Sequence, residues 1–137
     1  MSSGSSFNVS HSGRHGLIGF ANRDGLGVDL EVRTPGRDFD GIGSRVYGPR
    51  ERLALSAAAG RRKADLFYRL WSLKEALIKA LGTGFSLSPS RFEVPRPMIE
   101  GERSAVFRFP HLPSEPFRLE DLGERRFAAA CAYRLMG

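Results

Sequence analysis

Cysteine is nearly absent from this sequence, whose 137 residues include one, Cys131, within the apolar run 127–133. A single cysteine excludes an intrachain disulfide and a cluster of thiolate metal ligands, which is typical of a reducing compartment. The sequence also lacks any apolar run that approaches the roughly 20 residues needed to span a membrane as a helix. These absences predict a cytoplasmic protein without a membrane partner.

The start of the chain has none of the features of a secretory signal, because residues 1–6 are small and polar and contain neither a basic segment nor an apolar core. We expect this segment to be a flexible N-terminus. The remaining residues, 7–137, are enough for one domain with a hydrophobic core and too few for two independent domains.

Positive charge exceeds negative charge, since 21 Lys and Arg residues against 15 Asp and Glu residues give a net charge of +6. Such an excess favours phosphorylated or acidic partners. Nucleic acid is less favoured, because the arginines are scattered and do not form a basic patch interleaved with several aromatic residues. We therefore expect an acidic protein or a small polyphosphate as the partner, and no nucleic acid.

The most informative stretch is residues 64–81, where apolar side chains recur at steps of three and four residues. This spacing predicts a helix, and the number of apolar residues predicts that it is largely buried. The helix is expected to end at Gly82, with Thr83 and Gly84 turning the chain away from it. The apolar positions are Leu66, Phe67, Leu70, Trp71, Leu73, Leu77, Ile78 and Leu81.

Polar residues of the same helix fall on one narrow stripe, because Tyr68, Ser72, Glu75 and Lys79 are separated by four, three and four residues. Two interpretations remain open. Glu75 and Lys79 could form an ion pair one helical turn apart on a solvated edge. Alternatively, the carboxylate could face a metal ion and the lysine an anion, because a buried carboxylate needs a compensating cation.

A second pair of carboxylates lies in residues 26–32, where apolar and polar residues alternate as in a strand. Asp29 and Glu31 then project from the same face. They could simply form the solvent face of an edge strand. However, like charges on one face repel each other unless a cation lies between them, and Glu75 would complete an all-oxygen site for Mg²⁺, with Mn²⁺ as the alternative.

The remaining segments predict an α+β fold in which an antiparallel sheet packs against helices. Strands are expected at 7–9 and at 16–21 and 26–32, the last two joined as a hairpin by residues 22–25. Helices are expected at 38–47 and 49–59, the second closed by Gly60. Four further strands are predicted after Gly84, at 91–94, 105–109, 117–120 and 127–134.

Three motifs together resemble the signatures of the Sfp-type 4′-phosphopantetheinyl transferases in order and spacing. They are Phe-Asn-Val-Ser-His-Ser-Gly at 7–13, Gly-Val-Asp-Leu-Glu at 27–31, and Trp-Ser-Leu-Lys-Glu-Ala at 71–76 followed by Lys79 and the Gly-Thr-Gly segment at 82–84. The resemblance runs from about residue 7 to the last predicted strand. It implies one lobe of a fold that contains two similar α+β lobes.

The resemblance also implies an activity, the transfer of the phosphopantetheine arm of coenzyme A to a serine of an acyl or peptidyl carrier protein. By this resemblance, Asp29, Glu31 and Glu75 hold Mg²⁺ against the pyrophosphate of coenzyme A. Glu75 is also the candidate for accepting the serine proton, and Lys79 neutralises charge on the phosphate under attack. The basic surplus suits a carrier protein, because carrier proteins are typically acidic.

Three further residues are implicated in binding coenzyme A by the same resemblance. Lys74 is expected to help hold the substrate, and Ser10 and His11 match positions that contact its phosphorylated adenosine end.

The sequence departs from the family pattern in its length, because the family's first lobe precedes the motif at 7–13 and most of that lobe is absent here. Three functions therefore stay open: a transferase, complete or completed by self-association; a truncated relative that binds carrier proteins without efficient transfer; and an unrelated basic binding module. We expect a homodimer, since the strands at 16–32 would otherwise leave apolar surface and a sheet edge uncovered.

Overall fold

A computed structural model of the chain describes residues 6–12, 15–21, 25–82 and 87–135, the first two ranges by their backbone alone. The strands are β1 (Ser6–Ser12), β2 (His15–Ala21), β3 (Leu26–Val32), β4 (Ser104–Phe107), β5 (Phe117–Asp121) and β6 (Phe127–Arg134). The helices are α1 (Phe39–Val46), α2 (Pro49–Ala57), α3 (Gly60–Leu81) and α4 (Arg96–Ile99), with a single turn of 3-10 helix at Pro89–Arg91.

Two antiparallel sheets are formed by these strands. The larger sheet has the order β3-β6-β5-β4, and the smaller one consists of β1 and β2. The central pairing joins the third strand to the last, with Asp29 opposite Ala130 and Glu31 opposite Ala128. The prediction of an α+β fold with an antiparallel sheet packed against helices is confirmed.

The predicted hairpin between residues 16–21 and 26–32 is wrong. β2 pairs with β1, and β3 pairs with β6 instead. In this position both faces of β3 are buried. Val28 and Asp29, which point to opposite faces, are 1% and 3% exposed. Burial on both faces outweighs the local turn signal of the Asp-Gly pair.

Other elements also differ from the sequence prediction, among them the segment 91–94 and the start of α3. Residues 91–94 form the end of the 3-10 helix and an extended connection rather than a strand, and the backbone amide of Val94 donates a hydrogen bond to the Glu51 carboxylate. The alternation of Phe92 and Val94 with polar residues reflects their burial in the core, where they are 4% and 2% exposed, and not pairing in a β-sheet. Gly60 begins α3 instead of closing α2.

The 22-residue helix α3 packs on one face of the larger sheet and supplies much of the core. It contains no proline and ends where Gly82 adopts a φ of 96°, a left-handed conformation that glycine accepts without strain. Leu70, Leu73 and Leu77 are fully buried in this interface. Burying each such side chain contributes about 1.5–3 kcal/mol, so the helix is held by packing.

The helices before α3 are started by side chains that the sequence places at their N-termini. Asp38 accepts a hydrogen bond of 3.0 Å from the amide of Gly41 and so caps α1. Glu51, in the third position of α2, accepts one of 2.9 Å from the amide of Gly48. Among the described helices, none combines the length and the apolar character required to cross a membrane.

Candidate active site

Helix α3 runs antiparallel to β3 and brings its polar stripe against that strand. Near the start of the stripe, the Tyr68 hydroxyl donates to the carbonyl oxygen of Thr34, just after β3, at 3.1 Å. Near its end, Lys79 reaches the carbonyl oxygen of Val28 at 3.1 Å. The stripe and the carboxylate-bearing face of β3 therefore form one continuous junction.

Close approach of the two elements depends on Gly27. A Cβ atom at this position would clash with the carbonyl oxygen of Ala76 and the amide nitrogen of Ala80 on α3. On the neighbouring strand, the residues paired with the helix-facing positions of β3 are also small: Ala132 opposite Gly27, Ala130 opposite Asp29 and Ala128 opposite Glu31. Because these residues are small, α3 can pack close to the sheet, and the polar side chains of β3 contact those of α3 directly.

An ion pair between Lys79 and Asp29 crosses this junction. Lys79 Nζ lies 3.1 Å from Asp29 Oδ1. The Asp29 side chain is 5% exposed and that of Lys79 is 32% exposed, so the carboxylate lies inside and the lysine at the surface. Lys79 thus lies on the solvent-exposed side of the acidic site and supplies positive charge to it.

Negative charge exceeds positive charge at this junction, and the titration of the neighbouring carboxyl groups reflects it. Burial, a hydrogen bond with Asp29 and the charges of Asp29 and Glu75 raise the pKa of Glu31 to about 8, although Lys79 opposes the shift. The pKa of Glu75 is also raised, first by burial and then by Asp29. Three carboxyl groups therefore interact with one lysine, and the cluster favours binding of an additional cation.

The two simpler interpretations of these residues are wrong. Asp29 is 3% exposed, so it does not lie on the solvent face of an edge strand. Lys79 pairs with Asp29 on the facing strand, and among the ion pairs of the described residues there is no contact between Lys79 and Glu75. The polar stripe of α3 is consequently an internal contact surface.

The described residues contain no ready-formed group of three or more His, Cys, Asp and Glu side chains in metal-binding geometry. The donor set of Asp29, Glu31 and Glu75 nevertheless fits a hard divalent cation, because all of its ligand atoms are carboxylate oxygens. The charges of Asp29 and Glu75, which add to burial in raising the pKa of Glu31, support the same fit, since a cation would offset them.

Lys74 occupies a different environment from the one expected for a coenzyme A ligand. Its side chain is 0% exposed, and Nζ lies 2.8 Å from Glu51 Oε1. It also donates to the carbonyl oxygen of Phe92 and lies 4.5 Å from the centre of the Phe92 ring. Because Nζ is enclosed by protein on all sides, the structure places Lys74 in the core and away from a binding surface.

Glu51 is the residue that the sequence interpretation missed. Its carboxylate is fully buried and accepts hydrogen bonds from the amides of Gly48 and Val94. It also forms an ion pair with Lys74. The signal that could have identified it is the order Gly48, Pro49, Arg50, Glu51, which places a glutamate at the third position of a proline-initiated helix.

The two N-terminal candidates lie on β1, where Ser10 pairs with Leu17 and His11 with Gly16. The strand continues to Ser12, so the expectation that it ends at Val9 is corrected by three residues. The side chains of Ser10 and His11 lie outside the described residues, as does the segment 83–86 that contains Thr83 and Gly84, and their predicted contacts stay predictions.

Comparison with known families identifies the class to which this site belongs. The model of the 4′-phosphopantetheinyl transferase superfamily matches residues 25–132, a range that contains β3, α3 and all three carboxylates. The chain therefore belongs to the 4′-phosphopantetheinyl transferase superfamily.

Individual relatives agree with this assignment. A 4′-phosphopantetheinyl transferase of Bacillus subtilis is 36% identical over 126 residues, which cover 92% of this chain and 54% of the relative. The transferase Sfp of Bacillus subtilis strain 168 is 38% identical over 88 residues, covering 64% of this chain and 38% of the relative. The chain thus spans about half or less of the length of these curated relatives.

A solved structure shows the same fold. The crystal structure of a holo-(acyl-carrier-protein) synthase from Bacillus anthracis in complex with CoA (3′,5′-ADP) matches with a TM-score of 0.58 and 19% sequence identity, covering 80% of this chain and 94% of that chain. The prediction that this chain has the fold of one transferase lobe is confirmed.

Proposed function

We propose that this chain transfers the 4′-phosphopantetheine group from coenzyme A to a serine of an acyl or peptidyl carrier protein. The observation that carries the proposal is the junction of β3 and α3, where Asp29, Glu31 and Glu75 interact with Lys79 at the edge of a buried site. Phosphoryl transfer depends mainly on positioning and on neutralising phosphate charge, and this junction offers residues for both.

The three carboxylates would hold Mg²⁺, with Mn²⁺ as the alternative. Such an ion, when bound, supplies positive charge to the pyrophosphate oxygens of coenzyme A. The protein contributes the fixed positions of Asp29 and Glu31 on a strand and of Glu75 on a packed helix. A site on rigid elements limits the reorganisation required when the substrate arrives.

Lys79 and Glu75 have separate roles in this proposal. In the overall reaction, the serine oxygen forms a bond to phosphorus, the bond from phosphorus to adenosine 3′,5′-bisphosphate breaks, and the serine loses its proton. Lys79, one third exposed at the mouth of the site, is placed to neutralise charge on the transferring phosphate. Glu75, whose pKa is raised by burial, is suited to accept the serine proton, because a less acidic carboxyl group is a stronger base.

Coenzyme A would extend from this junction towards β1. Ser10 and His11 are proposed to contact its adenosine end, which the sequence resemblance supports. Lys74 is left out of the proposed contacts, because its ammonium group is enclosed by Glu51 and Phe92.

Mass spectrometry of an apo-acyl carrier protein tests the proposal. Wild-type chain, coenzyme A and Mg²⁺ should convert the carrier to a species heavier by one phosphopantetheine group, and a chelator should stop the conversion. Glu75→Gln removes one carboxylate without changing side-chain size and serves as the matched inactive variant. Failure of the wild type to modify the carrier, with coenzyme A binding intact, would contradict transfer.

The alternative is a relative that binds carrier proteins without efficient transfer. The same experiment separates the two, since a pure binder would retain the carrier in a pull-down but leave its mass unchanged.

Self-association as a homodimer in the cytoplasm completes the proposal, although the described residues give it little support. Their exposed large apolar side chains are Leu53, Val106 and Leu122, on α2, on β4 and just after β5. The expected uncovered face of β3 is absent, because Val28 and Leu30 are 1% and 2% exposed. Light scattering of the purified chain across a hundredfold dilution decides between a monomer and a dimer.

A further inference from the structure

Lys79 contacts two oxygen atoms on consecutive residues of β3. Its Nζ donates to the carbonyl oxygen of Val28 and to Oδ1 of Asp29, both at 3.1 Å. Carboxylate and backbone carbonyl oxygens are also the atoms that hard divalent cations such as Mg²⁺ take as ligands. The ammonium group therefore holds an oxygen atom that the proposed ion requires.

The same ammonium group lies on the accessible side of Asp29. The Asp29 side chain is 5% exposed, whereas that of Lys79 is 32% exposed. The carboxylate is thus almost closed to solvent, and the lysine is the more exposed member of the pair. An ion that enters from solvent at this point meets Lys79 before it meets Asp29.

The positive charge of Lys79 acts on the other two carboxyl groups of the cluster as well. Burial first, and then Asp29, raise the pKa values of Glu31 and Glu75, and Lys79 opposes the rise in both cases. One ammonium group thus partly offsets the repulsion among three carboxylates. A divalent ion would do the same more completely, because it carries twice the charge.

The lysine and the ion compete for Asp29 Oδ1. Mg²⁺ binds carboxylate oxygens at about 2.0–2.1 Å. Because Lys79 Nζ lies 3.1 Å from the same oxygen, the two cations would be no more than roughly 5 Å apart. Like charges at this distance repel strongly where little water screens them. The lysine is the mobile partner, since its ammonium group ends a flexible four-carbon chain.

We propose that Lys79 and a divalent ion exchange at Asp29: the lysine holds this carboxylate until the ion binds, and the ion releases the lysine towards the open side of the site. The inference rests on the proposed function for the identity of the ion, and it adds an order of events. The released ammonium group is the one proposed to neutralise the transferring phosphate. The chain therefore presents it to an anion only after the ion is in place.

Crystals grown with and without MnCl₂ test the exchange directly, because the anomalous scattering of manganese locates the ion. We expect manganese on Asp29 and a distance from Lys79 Nζ to Asp29 Oδ1 beyond about 4 Å, the usual limit of an ion pair. Manganese on Asp29 with the lysine still in contact would overturn the inference. Manganese bound only elsewhere, or not bound, would overturn it too.

Titration calorimetry with MgCl₂, in the absence of coenzyme A and carrier protein, measures the same competition in solution. Lys79→Met removes the competing ammonium group and should tighten Mg²⁺ binding at least about fivefold. Lys63→Met is the matched control, because it removes the same charge from a lysine that pairs with Asp40. Its Mg²⁺ affinity should stay within about twofold of wild type, since the change is remote.

Melting temperatures establish that both variants are folded. Equal tightening in the two variants would show a general charge effect and contradict the exchange. Mg²⁺ affinity that is unchanged or weaker in Lys79→Met would contradict it as well, because removing a competitor cannot weaken binding of the ion.

The outcome is separable from that of the proposed function. A chain that exchanges Lys79 for manganese but leaves the mass of an apo-acyl carrier protein unchanged supports the exchange and contradicts transfer. A chain that modifies the carrier, and whose Lys79 stays on Asp29 in the crystal with manganese, supports the function and contradicts the exchange.

Discussion

Two neighbouring residues of α3, Lys74 and Glu75, belong to charged groups with opposite properties. Lys74 and Glu51 are both fully buried, balance each other one to one, and have hydrogen-bond partners from the surrounding backbone. Glu75 belongs to a partly open cluster of three carboxylates with one lysine. Adjacent helix positions differ by about 100° in direction, so one helix serves both groups.

The difference shows how charge balance separates a structural group from a binding group. A buried pair whose donors and acceptors are satisfied needs nothing more and fixes the elements that it joins, here α2, α3 and the connection at 92–94. In the unbalanced cluster, burial and then the neighbouring carboxylates raise the pKa values of Glu31 and Glu75, and an external cation would offset the repulsion between them. Substitutions in the two groups should therefore affect different measurements.

The largest effect is expected from Lys74→Met, which leaves the Glu51 carboxylate buried without its cation. Removing one partner of a buried pair costs about 3–5 kcal/mol in the free energy of unfolding, measurable by urea denaturation followed by circular dichroism. Glu51→Leu/Lys74→Met should recover part of this loss, because it removes both charges. A Lys74→Met chain as stable as the wild type would abolish the contrast between the groups.

Glu75→Gln should show the reverse behaviour. Transfer to a carrier protein should fall about a hundredfold, the size of effect seen when one preorganised electrostatic contact is removed from a reacting centre. The free energy of unfolding should stay the same or rise, because one of three repelling carboxylates is neutralised. Stopped-time mass spectrometry and urea denaturation provide the two numbers. A loss of stability with normal transfer would make Glu75 a structural residue.

Lys79→Ala is expected to reduce transfer at least about tenfold while lowering the free energy of unfolding by only about 1 kcal/mol, since the pair with Asp29 is partly screened by solvent. The same two measurements apply, with Lys79→Arg as the variant that keeps the charge. If the melting temperature drops strongly and transfer persists, the lysine acts mainly to hold Asp29.

The last effect concerns pH. The pKa of Glu31 is raised from its ordinary value of 4.5 to about 8, so the folded chain binds this proton more tightly than the unfolded chain. Its stabilising contribution is complete below pH 4.5 and is lost as the pH rises through about 8. After screening, we expect the free energy of unfolding to fall by roughly 1–2 kcal/mol over this interval in metal-free buffer.

Glu31→Gln should remove that slope, and Mg²⁺ should offset it in the wild type by binding the ionised form. Urea denaturation at several pH values, with and without the ion, measures both. A slope that is identical in Glu31→Gln would assign the pH dependence to another group.

The candidate site could be predicted from sequence where periodicity itself carried the information. Alternation placed Asp29 and Glu31 on one strand face, and helical spacing placed Glu75 and Lys79 on one stripe. Which strand β3 would pair with could not be read in this way, because its partner β6 is about 100 residues away and pairing depends on the whole sheet.

The role of Lys74 illustrates the other limit. A motif shows that a lysine is adjacent to Glu75, but only packing shows that its ammonium group lies between Glu51 and Phe92. Glu51 was missed for the same reason: its local pattern indicates a helix start, whereas its importance comes from Lys74 and Val94, 23 and 43 residues further along the chain.

Gly27 finally determines which substitutions the site can tolerate. A single methyl group there would meet the backbone of α3 at Ala76 and Ala80, and no rotamer of a side chain can withdraw a Cβ atom. The helix would have to move outward and carry Glu75 and Lys79 away from Asp29. A complete mutational scan should thus find Gly27 as intolerant as the reacting residues, although it has no side chain with which to touch a substrate.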